Sequence, residues 1–317
     1  MASNERVSLD DVVWLRRHAL AEGYSDKAIA KRVRTHEWHR LRRGAYTSGE
    51  LWDSLSPEER HRVLCRAVLM TVHPSSALSH VSSAIEWGAE TWGFDLREVH
   101  LTRTDGRCGR KEAGLVHHRG RLSEDEVVIL NGVRATGAAR SVAETCTIAG
   151  VEPSLTVANS LLHSGAIDME RLGEQTIVTR SWPRSLTTEV VRRLADRRIE
   201  SVAESRAFHL FWREHLPRPE PQVEVYDELG RLVGRVDFAW ARYGVFGEID
   251  GRLKYFTMRR DGETLDEFLL REKRREELIC ALTGWVCIRI TWEDLARPHL
   301  LARRIRRILE SRALRPA

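Results

Sequence analysis

The sequence predicts a multidomain α+β protein, and three observations lead to that fold class. The chain has 317 residues, which exceeds the usual size of a single domain. Hydrophobic residues make up 42% of it and charged residues 31%, a balance typical of a globular protein with real cores. Helical and strand-like patterns also change character several times along the chain. We therefore expect domains over residues 1–50, 51–150 and 201–317, with a helical bridge over residues 151–200.

The composition also indicates a cellular compartment. Five dispersed cysteines contain no C-x-x-C pair, which argues against a disulfide framework or a zinc site and favours a reducing cytoplasm. The N-terminus lacks the apolar segment of a signal peptide, and no apolar run is long enough to span a bilayer. We expect a cytoplasmic protein without a membrane partner and without a small-molecule cofactor.

The first domain has the pattern of a small DNA-binding unit. Ser8 is placed to cap a first helix that Gly23 ends, and Ser25 is placed to cap a second helix over residues 26–34. The alternating segment 38–46 follows and contains a glycine turn, as expected for a β-wing. Helix, turn, helix and wing together predict a winged helix, whose second helix enters the major groove while the wing contacts phosphate.

Positive charge is concentrated in the same segment. Residues 27–43 contain seven Lys or Arg and one acid, a net charge of +6, whereas the whole chain carries +5. The alternative is a basic helix and hairpin that are simply exposed to solvent. In the DNA-binding interpretation the expected contacts are Lys27, Lys31, Arg34, Arg40, Arg42 and Arg43.

Two motifs in this segment suggest a family. They are Tyr24-Ser25-x-x-Ala28-Ile29-x-x-x-Val33 and Trp38-x-x-Leu41-Arg42-Arg43-Gly44-Ala45-Tyr46, and shorter similarities continue to about residue 150. In this order they resemble the N-terminal region of AbiEi-type antitoxins. The resemblance implies a winged helix that binds operator DNA and represses its own operon. It also implies a cognate toxin, or the operon that encodes one, as a partner.

The middle of the chain predicts structure without catalytic residues. Ser56-Pro57-Glu58-Glu59 marks the start of a capped helix, and four further helices are expected between residues 137 and 200. We interpret Ser79 as a helix cap and His80 as a packed side chain, because adjacent helix residues do not face each other. His117 and His118 are interpreted as exposed strand residues, since no third ligand lies at metal spacing.

The pattern changes again at Ser201. The predicted elements are a helix from residue 201, strands at 222–226, 232–240 and 245–250, a long helix at 265–282 ended by Gly284, a strand at 285–290 and a basic helix at 293–311. The order α-β-β-β-α-β-α predicts a mixed α/β domain.

Acids interrupt two of these otherwise apolar strands. Asp237 lies inside one strand, and Glu248 and Asp250 flank Ile249 in the next, so these last two acids point to one face of the sheet. Buried acids are costly unless they are paired, protonated or bound to a cation, and a divalent metal with oxygen ligands is one solution.

Each acid also has a purely structural interpretation. Asp237 and Glu248 could pair with arginines, and the candidates are Arg235, Arg275 and Arg289. Glu204 follows Ser201 by three residues, the spacing of a capping box. Asp250 precedes Gly251, and this dipeptide is common in turns.

The element order and four groups of residues carry a second resemblance. The groups are Glu204, Gly234-Arg-Val-Asp237-Phe-Ala-Trp240, Glu248-Ile-Asp250-Gly251 and Gly284-Trp285-Val286. They resemble the PD-(D/E)xK nuclease superfamily, and within it the very-short-patch-repair-like group. The resemblance implies a restriction-endonuclease-like fold that cleaves DNA with Mg²⁺, with Asp237 and Glu248 as metal ligands and Glu204 as an outer ligand.

The sequence departs from this superfamily at two positions, and at one of them Val236 stands in place of the strand proline before Asp237. Asp250 stands where the catalytic lysine is expected, two residues after Glu248. Lys254 or Lys273 could supply the missing cation from another element. Three functions therefore remain as expectations: a Mg²⁺-dependent DNA endonuclease, an AbiEi-like repressor whose nuclease fold is catalytically degenerate, and a protein-interaction scaffold.

Overall fold

The computed structural model describes residues 12–107, 112–250 and 263–313. These residues form helices and three β-sheets, so the predicted mixed α+β class is confirmed. The chain divides into two units, Met1–Arg193 and Leu194–Ala317. Within the described ranges, no helix combines the length and the apolar character needed to cross a membrane.

The first unit begins with a small antiparallel sheet and two helices. The elements are β1 (Trp14–Leu15), α1 (Arg16–Ala21), α2 (Asp26–Arg34), β2 (Trp38–Arg42) and β3 (Ala45–Ser48). The strand order is β1-β3-β2, so β3 lies in the middle. Ile29 of α2 is buried against Trp38 and Tyr46, and this cluster holds the helix on the sheet.

The predicted first helix is wrong at its start, because Trp14–Leu15 is a strand. Trp14 pairs with Tyr46 and Leu15 pairs with Ala45. The Arg16 N–H then donates to the Gly44 carbonyl at 2.8 Å, so the helix begins only at this residue. Apolar spacing alone did not distinguish these alternatives, since pairing with a strand thirty residues away satisfies the same backbone groups. Ser8, the predicted cap, lies outside the described residues.

A five-stranded mixed sheet forms the middle of the first unit. The elements are α3 (Gly49–Ser54), α4 (Pro57–Leu69), β4 (Ser76–Leu78), α5 (His80–Glu86), β5 (Val99–Arg103), β6 (Leu115–His118), β7 (Val127–Leu130) and β8 (Val133–Thr136). The strand order is β6-β5-β4-β8-β7, with β5 parallel to β6 and β4 parallel to β8. The predicted cap of α4 is confirmed, because Ser56 and Glu59 form a capping box.

Four helices complete the first unit, as predicted. They are α6 (Ala138–Ile148), α7 (Val151–His163), α8 (Met169–Val178) and α9 (Ser185–Leu194). Helix α6 is buried along most of its length, which shows that it belongs to the core beside the five-stranded sheet.

The described elements of the second unit follow the predicted order. They are α10 (Val202–Arg213), β9 (Glu220–Tyr226), β10 (Leu232–Trp240), β11 (Val245–Asp250), α11 (Leu265–Thr283), β12 (Val286–Thr291), α12 (Trp292–Leu295) and α13 (Pro298–Ala313). The sheet order is β12-β11-β10-β9, and of the three strand pairs described in this sheet only β11–β12 is parallel. The last predicted helix is split in two, because Thr291 caps a short helix and Pro298 starts another.

Side chains cover both faces of this sheet. Phe238 and Ile249 pack in a core cluster with residues of α10 and α13. Ala239 and Phe246 pack with Ile279 of α11 in a second cluster. Because strand side chains alternate, Glu248 lies on the side opposite Ile249, where α11 packs. The fold therefore brings one acid of the sheet to the side covered by the long helix.

Candidate functional site

The first candidate site is a basic surface on helix α2 and the β2–β3 hairpin. Ser25 caps α2 by accepting from the Ala28 N–H at 3.2 Å, and Ile29 faces the core. The opposite face of the helix carries exposed cations. We define the basic surface by its exposed residues, Lys27, Lys31, Arg34, Arg40 and Arg43.

The structure brings five of the six predicted DNA contacts together in the basic surface. None of these five forms an ion pair with any residue that the structure describes, so their charge remains available to an anionic partner. Arg42 is the exception. Its side chain is 23% exposed, and its Nη2 donates to Glu112 Oε2 at 3.1 Å.

The second candidate site, in the second unit, is a cavity of about 500 Å³ lined by three predicted carboxylates. Asp237 of β10, Glu248 of β11 and Glu204 of α10 are 6%, 5% and 2% exposed. Two of these acids are 44 residues apart in sequence, so the fold, not local order, assembles them. The structure places the three predicted acids around one cavity.

Each of these carboxylates is hydrogen-bonded to a protein donor. The Ile249 N–H donates to Asp237 Oδ2 at 2.7 Å, and Gln222 Nε2 donates to Glu204 Oε2 at 2.8 Å. Ser201 caps α10, as predicted, by accepting from the Glu204 N–H at 3.2 Å. The Glu204 carboxylate accepts from the Ser201 hydroxyl at 2.8 Å and from the Glu200 N–H at 3.1 Å, so the predicted capping box, which needs the Ser201 N–H as the donor, is not complete. Protein groups thus stabilise the charge on acids that would otherwise be costly to bury.

Arg275 of helix α11 supplies the cation at this site. Its Nη2 donates to Glu248 Oε1 at 3.2 Å, and its Nη1 donates to the Arg235 carbonyl at 3.0 Å. Burial lowers the pKa of Arg275, but Glu248 and Glu272 outweigh that effect and raise it, so the guanidinium stays charged. Gly234 leaves the necessary room, because an added Cβ there would lie 3.2 Å from the Arg275 side chain. The predicted alternative in which Glu248 pairs with an arginine is confirmed.

The carboxylates offer hard oxygen ligands of the type that Mg²⁺ prefers. However, the described residues contain no group of three or more His, Cys, Asp or Glu arranged to hold a metal ion. The Arg275 guanidinium is bonded to Glu248 Oε1, and the Ile249 N–H is bonded to Asp237 Oδ2, so one oxygen of each carboxylate already accepts from a protein donor. As arranged, the side chains fit a guanidinium better than a metal ion.

The residues proposed to replace the missing lysine lie elsewhere. Lys254 is outside the described residues. Lys273 borders the cavity, but its side chain is 73% exposed and its ammonium group faces Glu277 at 3.8 Å. Asp250 ends β11 in register with Thr291 and also borders the cavity. Arg275 is therefore the described cation that is hydrogen-bonded to a predicted metal ligand, Glu248.

Sequence reasoning missed a buried histidine network in the five-stranded sheet. His100 Nδ1 and His118 Nε2 are hydrogen-bonded at 2.8 Å, and the His80 ring stacks on His118 with centroids 3.5 Å apart. The prediction that His118 is an exposed strand residue is therefore wrong. Strand alternation offered a signal, since His100 and Thr102 alternate with apolar residues in a strand buried on both faces.

Ser79 is the N-cap residue of α5, as predicted, but the expectation that its side chain caps the helix is wrong. Its hydroxyl makes no capping bond, and the Glu144 carboxylate instead accepts from the His80 N–H at 2.8 Å. His80 has φ +54°, which turns its ring back so that Nδ1 lies 2.9 Å from Ser79 Oγ. The rule that adjacent helix residues do not face each other fails here because His80 lacks a helical φ.

Burial dominates the electrostatics of this network. It lowers the pKa of His100 to about 3 and that of His118 to about 4, and it also holds the pKa of His80 well below its ordinary value. Ser79 has no exposed surface, and His80 is 5% exposed. A serine beside a histidine could act as a nucleophile, but the Ser79 hydroxyl and the His80 ring are buried, so a substrate cannot reach them. The network is part of the core.

Comparison with models of known protein families gives no match to this chain, and comparison with curated proteins gives none either. Two arrangements of side chains bear on function: the basic surface and the cavity lined by carboxylates.

Proposed function

We propose that this chain is a DNA-binding protein that acts as a transcriptional repressor of the AbiEi-like type. The basic surface carries the proposal, because five exposed cations, none of them ion-paired with a described residue, lie on one helix and its neighbouring hairpin. The strand order β1-β3-β2 beside two helices supports a winged helix, with α2 as the helix in the major groove. Repression of its own operon, and a cognate toxin encoded there, belong to the same proposal.

We further propose that the second unit is a nuclease-like fold that binds DNA without cleaving it. The support is the position of Arg275, whose guanidinium donates a hydrogen bond to Glu248 Oε1. Asp250 in place of the usual lysine agrees with this proposal. Together these features describe a catalytically degenerate site whose acids keep a structural role.

A second candidate function is Mg²⁺-dependent cleavage of DNA, and one observation favours it. Three buried carboxylates line one cavity, which is unusual unless they share a task. In this candidate Asp237 and Glu248 would hold the ion, Glu204 would act through a water molecule, and Arg275 would have to leave Glu248. When bound, the ion would supply an activated water and charge stabilisation at phosphate.

Replacing Lys31 and Arg34 together with Ala is expected to lower DNA affinity by about tenfold or more. Each phosphate contact that is lost reduces the slope of log K against log salt by about 0.9, so the double variant should lose about 1.8. Electrophoretic mobility shift across a salt series, with the DNA upstream of the reading frame, measures both quantities. The matched control is Arg171→Ala with Arg180→Ala, which removes two exposed charges from the region of α8. Equal behaviour of the two double variants would refute the proposed interface.

Supercoiled plasmid incubated with Mg²⁺ or Mn²⁺ is expected to remain uncut by the wild-type chain. If nicking is seen, the Asp237→Ala/Glu248→Ala variant must abolish it before it is assigned to this cavity. The control variant Glu228→Ala/Asp266→Ala makes the same charge change at exposed positions of the second unit. Cleavage lost only in the first variant would establish the second candidate and contradict the degenerate site.

A further inference from the structure

A second cavity, of about 790 Å³, lies in the first unit beside strand β2. Its walls come from β2, from helices α3 and α4, and from the segments 93–97 and 113–114. Pockets of this volume with mostly apolar walls are the usual sites for small organic ligands. The apolar part of the lining consists of Leu41, Trp52, Pro57, Leu64, Val68, Phe94, Leu96 and Ala113.

The polar part of the lining carries excess positive charge. Arg60 donates to the carbonyls of Trp52 and Asp53, at 2.9 and 3.2 Å, and has no acidic partner within the described ranges. Asp95 is the acid that borders the cavity, and Arg97 pairs with it at 2.6 Å. Arg42 completes the set of cations.

Arg42 has an unused donor at this site. Its Nη2 is bonded to Glu112, but its Nη1 is buried and has no hydrogen-bond partner. A buried guanidinium nitrogen without a partner costs free energy that an anionic ligand would recover. The side chain therefore offers a specific contact for a carboxylate or sulfonate group.

A β-bulge explains why Arg42 faces the cavity. Arg40 pairs with Tyr46 and Arg42 pairs with Ala45, so Leu41 is an extra residue on β2. A bulge of this kind re-aims the following side chain. Leu41 and Arg42 thus both line the cavity, while Arg40 remains on the basic surface.

We propose that this cavity binds a small organic anion with an apolar, ring-containing body, whose charged group contacts Arg42. The apolar lining would cover the body of the ligand, and Arg60 would add a second positive charge. The proposal includes one consequence that rests on the proposed DNA binding. Because β2 is both a cavity wall and the strand that carries Arg40, occupancy should change the affinity of the basic surface for DNA.

The binding test uses the full chain and two fluorescent probes that share their rings. Anilinonaphthalene sulfonate is anionic, and N-phenylnaphthylamine lacks the sulfonate. We expect the anion to bind once per chain and the neutral probe to bind about tenfold more weakly. Salicylate should displace the anion. Equal affinity for both probes would overturn the proposal without the use of any variant.

Variants then locate the site. Arg42→Gln should weaken binding of the anionic probe by about tenfold, and Arg42→Lys, which keeps the charge, should weaken it less. The matched control is Arg134→Gln, since Arg134 also pairs with a glutamate and also has a buried Nε without a partner. Circular dichroism shows whether each variant is folded. Unchanged affinity in folded Arg42→Gln, or an equal loss in Arg134→Gln, would place the probe elsewhere.

The regulatory consequence is tested on a chain already shown to bind DNA. Saturation with the anionic probe should change the dissociation constant for DNA by about fivefold, and DNA should change probe affinity by the same factor. If the probe binds at Arg42 but DNA affinity is unchanged, the coupling is contradicted. If the wild-type chain binds no DNA, the proposed function is contradicted. The anion site is tested separately, by the probe experiments alone.

Discussion

Replacing Glu86 with Ala is expected to lower the free energy of unfolding of the first unit by about 3–5 kcal/mol. The Glu86 side chain has no exposed surface and binds two nearly buried arginines. Arg62 donates to it at 3.0 Å, and Arg66 donates to both of its oxygens at 3.1 Å. Removal of the carboxylate would leave two buried cations without a counter-charge. This costs more free energy than the two ion pairs contribute to the stability of the native protein.

Denaturation in urea measures this effect, as a shift of the midpoint at constant slope. Glu86→Gln keeps the size of the side chain and removes its charge, so it should lose most of the same stability. Glu37→Ala is the control, because Glu37 also pairs with an arginine but is 55% exposed, and it should cost less than about 1 kcal/mol. A loss of similar size in both alanine variants would contradict the role given to burial.

The triple variant Glu86→Leu/Arg62→Met/Arg66→Met separates two explanations. It removes the charges together and keeps apolar volume, so it should recover much of the stability lost in Glu86→Ala. No recovery would show that the arginines are needed for their other contacts, such as the bond from Arg66 to the Asn131 carbonyl at 3.1 Å.

Acidification from pH 7 to pH 5 is expected to destabilise the first unit strongly. Burial holds the pKa values of His80, His100 and His118 below the ordinary value of 6.5, so these rings stay neutral in the native state. The unfolded chain takes up protons below about pH 6.5, and each such proton lowers the free energy of unfolding by about 1.4 kcal/mol per pH unit.

The sign and the window of this effect follow from the pKa values. The histidine contribution is complete above pH 6.5 and is lost as the pH falls. The loss from His118 ends near pH 4, and that from His100 ends near pH 3, where the native rings also take up protons. Burial raises the pKa of Glu144, so this carboxyl group acts in the opposite direction and offsets a part of the loss.

Urea denaturation at a series of pH values between 7 and 5 measures the slope. In His100→Asn the slope should fall by about 1.4 kcal/mol per pH unit, because one fewer proton is taken up on unfolding. His73→Gln is the control, since His73 is exposed and its replacement should leave the slope unchanged. An unchanged slope in His100→Asn would mean that the buried ring already carries a proton.

Local chemistry in the sequence was sufficient to place most elements of the second unit. The strand over residues 232–240, the strand over 245–250 and the helix ended by Gly284 all appear where they were predicted. Their signals are short-range: apolar runs, capping residues and a glycine with φ +68° at the end of α11. The acids that interrupt the strands could also be identified from the sequence, because a charged residue within an apolar run is recognisable without knowledge of its partner.

The partners of those acids were not visible, since each lies far away in sequence. Glu248 meets Arg275 across 27 residues, and three arginines were equally good candidates before the fold selected one. Packing selects Arg275, because Gly234 has no side chain and so leaves space for the Arg275 side chain of α11. A possible metal ligand thereby became half of an ion pair.

The same reasoning explains the errors in the first unit. Trp14–Leu15 has a pattern that suits a helix or a strand, and only pairing with Tyr46 and Ala45 decides between them. The three histidines of the network come from three separate elements, α5, β5 and β6, and no spacing in the sequence connects them. Short-range patterns thus determined where helices and strands form and which residues carry charge. Long-range packing decided which charges are paired, which are buried and which remain exposed to bind a partner, because desolvation depends on neighbours that only the folded chain supplies.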